Sequence, residues 1–382
     1  MSSLAILAKR RRTKSYLSLF ACNRRQSSMR RRLALVVLVP FREDDTLARR
    51  SQLDHLIQRF RDVAFVDECA PALVVVAKQT FDGRKFNRGQ ALNVAYAVAR
   101  ERFSSEIDDE RTLVVCHDCD MAPRASTAAL YFERPSARPG TRVLEASGCR
   151  YAADGCFGGV TVYEVESWVA TNGYPNGFWG WGGEDHAQFA RTVAAGVRVE
   201  RVPNAAFDDL EQGVETVELK LARLDESNAR IRQKEKNELL RLDAKNWRND
   251  GLNALRFSVV SEEVTVSTPA LTCVEIEVEL LSERPGYAVC HTCERDLPES
   301  DYSSNSLRRI KWMRERQRTT IHGKSCAECT KKLPNQVAER RNIEANEANL
   351  EERLTCMDCA TKFESRNALF KHLAATSCGD ED

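Results

Sequence analysis

The chain has 382 residues, 42% of them hydrophobic and 30% charged, and 57 basic against 56 acidic side chains leave a formal net charge of +1. That length accommodates two or three domains with sizeable cores, and the composition excludes both a disulfide-stapled mini-protein and a wholly disordered chain. Global charge singles out no polyanionic partner, and the longest apolar run, Leu33 to Phe41, is about half of the ~20 residues a helix needs to cross a bilayer, so no transmembrane anchor is expected.

Charge is nonetheless uneven. Residues 1–32 carry ten Lys or Arg, and no acidic side chain precedes Glu43, so this arm is expected to be disordered. Its composition suits a presequence, a nuclear-localisation or nucleic-acid patch, or an arm with no address at all. Seven of the fourteen cysteines precede residue 280 at irregular spacing; six of the seven that follow form C-x-x-C pairs. Such pairs in a chain without a secretory signal read as zinc ligands before disulfides, which favours a reducing compartment, the cytoplasm or nucleus.

In chain order, Leu33 to Pro40 is a continuous apolar run of the kind buried on both faces of a parallel sheet. Leu53, Leu56, Ile57 and Phe60 then mark the apolar stripe of a helix. Ala72 to Ala77 predicts a second strand, Leu92, Ala95, Tyr96 and Ala99 a second helix, and Thr112 to Cys116 a third strand. This alternation predicts an α/β sheet with right-handed crossovers. A Gly- and aromatic-rich stretch, 157–185, reads as functional loops; 211–248 reads as a solvated helical segment, and 256–266 as a strand. The expected organisation is a basic arm 1–32, an α/β domain 33–267, a linker 268–286 and a zinc-binding module 287–382.

Asp118 and Asp120 follow the third strand. In an extended chain, residues two apart share one face, so both carboxylates would point together at the carboxyl edge of the sheet, where open α/β sheets bind ligands. Two hard oxygen donors there suit Mn²⁺ or Mg²⁺ on a diphosphate. Cys116 and Cys119 would fall on opposite faces and so are not expected to share a zinc ion.

The segment Asn172-Gly173-Tyr174-Pro175-Asn176-Gly177-Phe178-Trp179-Gly180-Trp181-Gly182-Gly183-Glu184-Asp185 closely resembles the acceptor-site signature of the β-1,4-galactosyltransferase family, glycosyltransferase family 7. Pro40-Phe41-Arg42, Phe86-Asn87-Arg88-Gly89, Leu92-Asn93-Val94, Phe157-Gly158-Gly159-Val160 and Asp250-Gly251-Leu252-Asn253 join it in collinear order. The resemblance implies a GT-A fold and an inverting, metal-dependent transferase that moves galactose or N-acetylgalactosamine from a UDP-sugar to a glycan acceptor in β linkage. It implies donor contacts at Pro40, Phe41, Arg42, Phe86, Asn87, Arg88, Asp118 and Cys156, and acceptor contacts at Trp181, Gly182, Gly183 and Glu184. Asp185 matches the general base, with Glu184 beside it. The small Cys156 stands where the family's bulky Tyr favours galactose, so room for an N-acetyl group is expected.

The family's usual metal-ligating His after G-G-E-D is missing, since no His lies between His186 and His291. Asp208 or Asp209 is therefore the expected replacement, completing a manganese set with Asp118 and Asp120. The family's Golgi anchor is absent from the expected features as well. A rival expectation is a GT-A domain without turnover that serves as a scaffold for the zinc module.

In that module, Cys356, Cys359, His372 and Cys378 have finger spacing, and Cys290 and Cys293 with Cys326 and Cys329 form a second expected site, giving about two Zn²⁺. A protein partner is the favoured target of the module, with nucleic acid second.

Overall fold

A computed structural model describes residues 32–43, 48–146, 157–211, 217–282, 286–293, 295–315, 322–323, 325–331, 361, 368 and 372. The chain forms two compact units, Met1–Arg284 and Pro285–Asp382. Cys156, Cys356, Cys359 and Cys378 lie outside the described residues, as do residues 1–31 of the arm.

The first unit begins with β1 (Leu35–Phe41), α1 (Arg49–Arg59), β2 (Ala72–Gln79), α2 (Arg88–Arg102) and β3 (Leu113–His117). Every residue of β1 and β3 is buried, because both faces of the sheet are covered. Alternation along the strands splits their side chains into two cores. Val36, Leu38, Val75 and Val114 pack with Leu92, Ala95 and Ala99 of α2, while Val37, Val39, Val74 and Val115 pack with Leu53, Leu56 and Phe60 on the α1 side. Cys116 belongs to the first core and Cys119 to the second, so the two thiols are apart as expected, although Cys119 lies in the turn beyond the strand.

There follow β4 (Met121–Pro123), α3 (Ala125–Ala128), β5 (Gly140–Ala146), β6 (Val160–Glu164), α4 (Val165–Ala170), α5 (Glu184–Ala194), β7 (Arg198–Ala205) and β8 (Phe207–Asp209). Two helices, α6 (Val217–Glu226) and α7 (Gln233–Asn246), precede the hairpin of β9 (Phe257–Ser267) and β10 (Leu271–Leu280). The sheet has eight strands in the order β7-β5-β6-β3-β1-β2-β10-β9. β1, β2, β3 and β10 run parallel, whereas β6 is antiparallel to β3 and β9 to β10. β4 and β8 form a separate antiparallel ribbon. The result is a mixed α/β sheet with a parallel centre, as the alternation of strands and helices predicts.

The segment 268–286 is not the expected linker. Leu271 to Leu280 forms an interior strand in register with β2, with Leu271, Cys273, Val274, Ile276, Val278 and Leu280 buried. Its remaining Glu275, Glu277 and Glu279 sit on the less buried positions, and Glu275 pairs with Arg50 at 2.7 Å. The second unit contains β11 (Tyr287–Cys290), β12 (Asp296–Pro298), α8 (Ser304–Glu315) and β13 (His322–Gly323), with a three-stranded sheet in the order β12-β11-β13. Among the described residues no helix is long and apolar enough to cross a membrane.

One buried polar network closes the D-G-L-N segment onto the loop before α5. The Arg191 guanidinium, fully buried, donates to Asp243, to the Gly173 carbonyl at 3.1 Å and to the Asp250 carboxylate at 3.2 Å. Asp250 in turn accepts the Asn176 backbone N–H at 3.0 Å, and Leu252 N–H donates to the Asn172 carbonyl at 2.8 Å. Gly251 permits that approach: it has φ 110°, and a Cβ there would lie 2.0 Å from the Asn172 carbonyl oxygen. Gly251→Ala should therefore lower unfolding stability by about 2–5 kcal/mol, read from the denaturation midpoint. An unchanged midpoint would show that this closure does not hold the unit together.

Candidate active site

The site is built where three chain segments meet: the start of α2, the turn after β3 and the start of α5. Asn87 begins α2, its side-chain oxygen accepting the Gln90 N–H at 2.9 Å while its amide donates to the Asn176 carbonyl at 2.8 Å. Nearly two turns later, Asn93 accepts the Tyr174 N–H at 2.9 Å and donates to the Tyr174 carbonyl at 2.7 Å. Gly89 allows this contact, since a Cβ there would meet the Pro175 carbonyl at 2.7 Å. The F-N-R-G and N-G-Y-P-N-G motifs are thus two halves of one buried hydrogen-bonded joint.

Arg88, the first residue of α2, faces both acidic motifs. Its Nε donates to Asp118 at 2.7 Å and its NH1 donates to Asp185 at 2.9 Å. Tyr174 Oη donates to the same Asp185 oxygen, Oδ1, at 3.2 Å, and the Tyr174 ring lies under the Arg88 guanidinium at 5.4 Å. Among the described residues both hydrogen bonds to Asp185 fall on Oδ1. Burial raises the Asp185 carboxyl above its ordinary range, with Arg88 and the Tyr174 hydroxyl opposing that rise. Glu184 beside it is buried, which raises its carboxyl as well, and its Oε2 has no hydrogen-bond partner among the described residues. An unpartnered buried carboxylate oxygen is costly in a finished core, and a ligand hydroxyl is the group that would satisfy it.

Gly180, Gly182 and Gly183 all have φ above 100°, which swings the chain around Trp181 and into α5. Trp181 is 38% exposed, whereas Trp179 is fully buried with the Arg84 guanidinium over its ring at 4.3 Å. Of the two tryptophans, only Trp181 offers a face to a ligand. Of the residues expected at the donor, Pro40 and Phe41 end β1, and Arg42 lies over the Phe86 ring at 5.6 Å while donating to the Arg84 carbonyl at 2.8 Å. The structure therefore brings Arg42, Phe86 and Arg88 around the carboxyl edge of β1, β2 and β3. Cys156 lies outside the described residues.

Two parts of the expected metal site are corrected. Asp118 and Asp120 do not share a face of an extended strand: β3 ends at His117, and residues 119–120 form a turn. That turn is braced by His117, a residue the sequence reading missed, whose Nδ1–H donates to the Asp118 carbonyl at 2.8 Å while Nε2 accepts from Tyr131 Oη at 2.8 Å. Burial pushes His117 down to about 4, so the ring stays neutral.

The four aspartates are not one donor set either. Among the described residues, the only group of three or more ligand-type side chains whose atoms lie within 4.8 Å of one another is formed by cysteines. Asp208 is drawn away by Arg124 at 2.7 Å and Arg59 at 3.3 Å, and Asp209 accepts the Glu211 N–H at 2.9 Å. Strand alternation puts these two carboxylates on opposite faces of β8. Asp118 and Asp120 are themselves paired, with Arg88 at 2.7 Å and Arg49 at 3.0 Å, and as hard oxygen donors they are of the type that would hold a divalent cation whose shell is completed by diphosphate and water.

In the second unit, the Sγ atoms of Cys290, Cys293, Cys326 and Cys329 all lie within 4.8 Å of one another. The Cys326 N–H donates to Cys290 Sγ at 3.2 Å, and Arg295 Nε donates to Cys293 Sγ at 3.5 Å. His372 is described only as an isolated residue, so the finger-spaced set is not placed.

Known proteins resemble this chain over part of its length. A family profile described as the N-terminal domain of galactosyltransferase matches residues 138–216. Human β-1,4-galactosyltransferase 4 is 28% identical over 237 residues, 60% of this chain and 60% of that protein. Human β-1,4-galactosyltransferase 1 is 34% identical over 121 residues, 31% of this chain and 28% of that protein. The match thus spans less than two thirds of the length of each of these relatives. The catalytic domain of Drosophila β-1,4-galactosyltransferase 7 in complex with xylobiose superposes with a TM-score of 0.48 at 19% identity, over 65% of this chain and 94% of that one. A variant of the same enzyme in complex with manganese, UDP-Gal and xylobiose gives a TM-score of 0.47 at 20% identity, with the same coverage. By its profile match over residues 138–216 and by these relatives, the chain is similar to β-1,4-galactosyltransferases.

Proposed function

We propose that the first unit is an inverting glycosyltransferase that moves galactose or N-acetylgalactosamine from a UDP-sugar to a glycan hydroxyl, forming a β linkage. The observation that carries this reading is the placement of Asp185 and Glu184 at the start of α5, beside exposed Trp181 and joined through Arg88 to Asp118. An acceptor sugar stacked on Trp181 would present one hydroxyl to the unpartnered Glu184 Oε2 and another to Asp185. Its oxygen attacks the anomeric carbon, the bond from that carbon to UDP breaks, and Asp185 accepts the hydroxyl proton. Tyr174 and Arg88 hold Oδ1, which leaves Oδ2 for the proton. A divalent cation on Asp118 and Asp120 would neutralise the departing diphosphate.

Asp185→Asn should retain UDP binding and lower kcat by roughly 10²–10⁴, as loss of a general base does. Tyr174→Phe removes a hydrogen bond that lowers the Asp185 pKa, so the acid limb of kcat/KM should move to higher pH. The sign follows because only the ionised base accepts a proton: activity rises as pH climbs through the folded-state pKa, and raising that pKa moves the rise upward. An unmoved limb would detach Tyr174 from the base. Donor preference rests on the family resemblance at Cys156, where Cys156→Tyr should shift competition between UDP-GalNAc and UDP-Gal toward galactose. An unchanged ratio would place Cys156 away from the sugar.

The engagement of Asp208 with Arg59 and Arg124 favours the rival reading, a domain without turnover that serves the second unit as scaffold. Sugar release from either donor in the presence of Mn²⁺ separates the two readings.

For the second unit, we infer a structural zinc ion on Cys290, Cys293, Cys326 and Cys329. Zn–S bonds of about 2.3 Å in a tetrahedron place the sulfurs about 3.8 Å apart, a spacing compatible with the observed cluster. The buried hydrophobic cluster around these ligands is small, comprising Ala288, Leu297, Tyr302 and Ile310 beside the cysteines, so metal binding would supply much of its folding free energy. Zinc analysis of Cys326→Ser should show about one equivalent fewer than the parent chain, with thermal unfolding of the first unit unchanged. Equal zinc in both proteins would remove the assignment.

A further inference from the structure

The carboxylate of Asp120 already has a cation on it. Arg49, the first residue of α1, donates from NH1 to Asp120 Oδ2 at 3.0 Å and from NH2 to Glu211 Oε1 at 2.5 Å. The other oxygen of Glu211 pairs with Lys220, and the Asp120 carbonyl accepts the Leu210 N–H at 2.8 Å. Charges therefore alternate along a line: Asp120, Arg49, Glu211, Lys220. Glu211 and Lys220 are less than one tenth exposed at their side chains, and Arg49 and Asp120 about one fifth. Gln52 accepts from Arg49 NH1 at 2.9 Å, which steers the guanidinium from its own helix.

Each end of the guanidinium has its own carboxylate, and the two carboxylates differ. Glu211 is shared with Lys220 and enclosed, so it acts as the fixed anchor. Asp120 lies in the turn after β3 and is the carboxylate that a divalent cation would use. A dication on Asp120 would stand at contact distance from the guanidinium on the same carboxylate, and their mutual repulsion is large where both side chains are about four-fifths buried.

We propose that Arg49 is a positioning residue that competes with the divalent cation for Asp120, remaining on Glu211 when the metal takes that carboxylate. The proposal rests on Asp120 being a metal ligand, as the proposed transferase activity requires. It assigns Glu211 the opposite effect from Arg49. Removing Arg49 frees Asp120 and leaves Glu211 paired with Lys220, whereas neutralising Glu211 leaves Asp120 as the guanidinium's remaining carboxylate. The two substitutions must then move metal affinity in opposite directions, which a merely structural role for the network would not do.

The test is Mn²⁺ binding to the full chain by electron paramagnetic resonance, with and without UDP, which reads occupancy independently of turnover. Arg49→Met should tighten Mn²⁺ binding roughly tenfold or more, Arg49→Lys should stay near the parent value, and Glu211→Gln should weaken binding. Thermal unfolding checks that each variant is folded; if Arg49→Met is not, Arg49→Lys and Glu211→Gln carry the test. Asp120→Asn separates the two levels of the argument. If it abolishes Mn²⁺ binding while Arg49→Met leaves affinity unchanged or weaker, the competition is overturned and the metal site stands. If Asp120→Asn binds Mn²⁺ as the parent does, the metal site itself is wrong and the competition falls with it. Failure of both the parent chain and Arg49→Met to bind Mn²⁺ at millimolar concentration, with UDP present, also overturns the proposal.

Discussion

The site depends on one guanidinium. Arg88 reaches Asp118 with one nitrogen and Asp185 with another, and so ties the turn after β3 to the first turn of α5 across the start of α2. A guanidinium is suited to this because its donors are fixed in a plane and stay charged, so two carboxylates from distant segments can be held in one geometry. Burial penalises each of the three charges, and their pairing offsets that penalty only while all are present. Replacing either carboxylate by an apolar side chain would leave Arg88 buried with half its compensation. The aromatic ring of Tyr174 beneath Arg88 and the tyrosine hydroxyl on Asp185 complete the enclosure.

Much of this was legible in the amino-acid order, for physical reasons that differ from segment to segment. The runs that became β1, β2 and β3 are apolar throughout because helices cover both faces of the sheet, a pattern few other structures produce. Arg88, Trp181, Glu184 and Asp185 stand out through rare neighbours, and the fold brings them to one edge. β10 was misread because cysteine punctuation follows it closely, although Val274, Ile276 and Val278 alternate with Glu275, Glu277 and Glu279 as a strand should. That period-two signal was available.

Other features had no local signal. Asp208 is one of the two expected replacements, with Asp209, for the family's His, but which cation meets its carboxylate depends on Arg59 and Arg124, distant in the chain. Asn93, Asn172 and Asn176 stand in the quoted motifs with no role attached, and Arg191 lies outside them; what each does appears only when it is found bonded to backbone. Buried polar networks of this kind fix loops that hydrophobic packing alone would leave underdetermined. Here they hold the 172–185 segment against α2, so its aromatic and acidic residues present a defined edge. His117 does the same for the turn bearing Asp118 and Asp120.

The account's central claim is that Asp185 and the Arg88-linked edge perform a single inverting displacement on a UDP-sugar. Its most direct test is proton NMR of the sugar first released from UDP-galactose or UDP-N-acetylgalactosamine by the full chain with Mn²⁺, water serving as acceptor and spectra recorded before mutarotation. The account predicts that the β anomer appears first. First appearance of the α anomer, or no release from either donor, would contradict it.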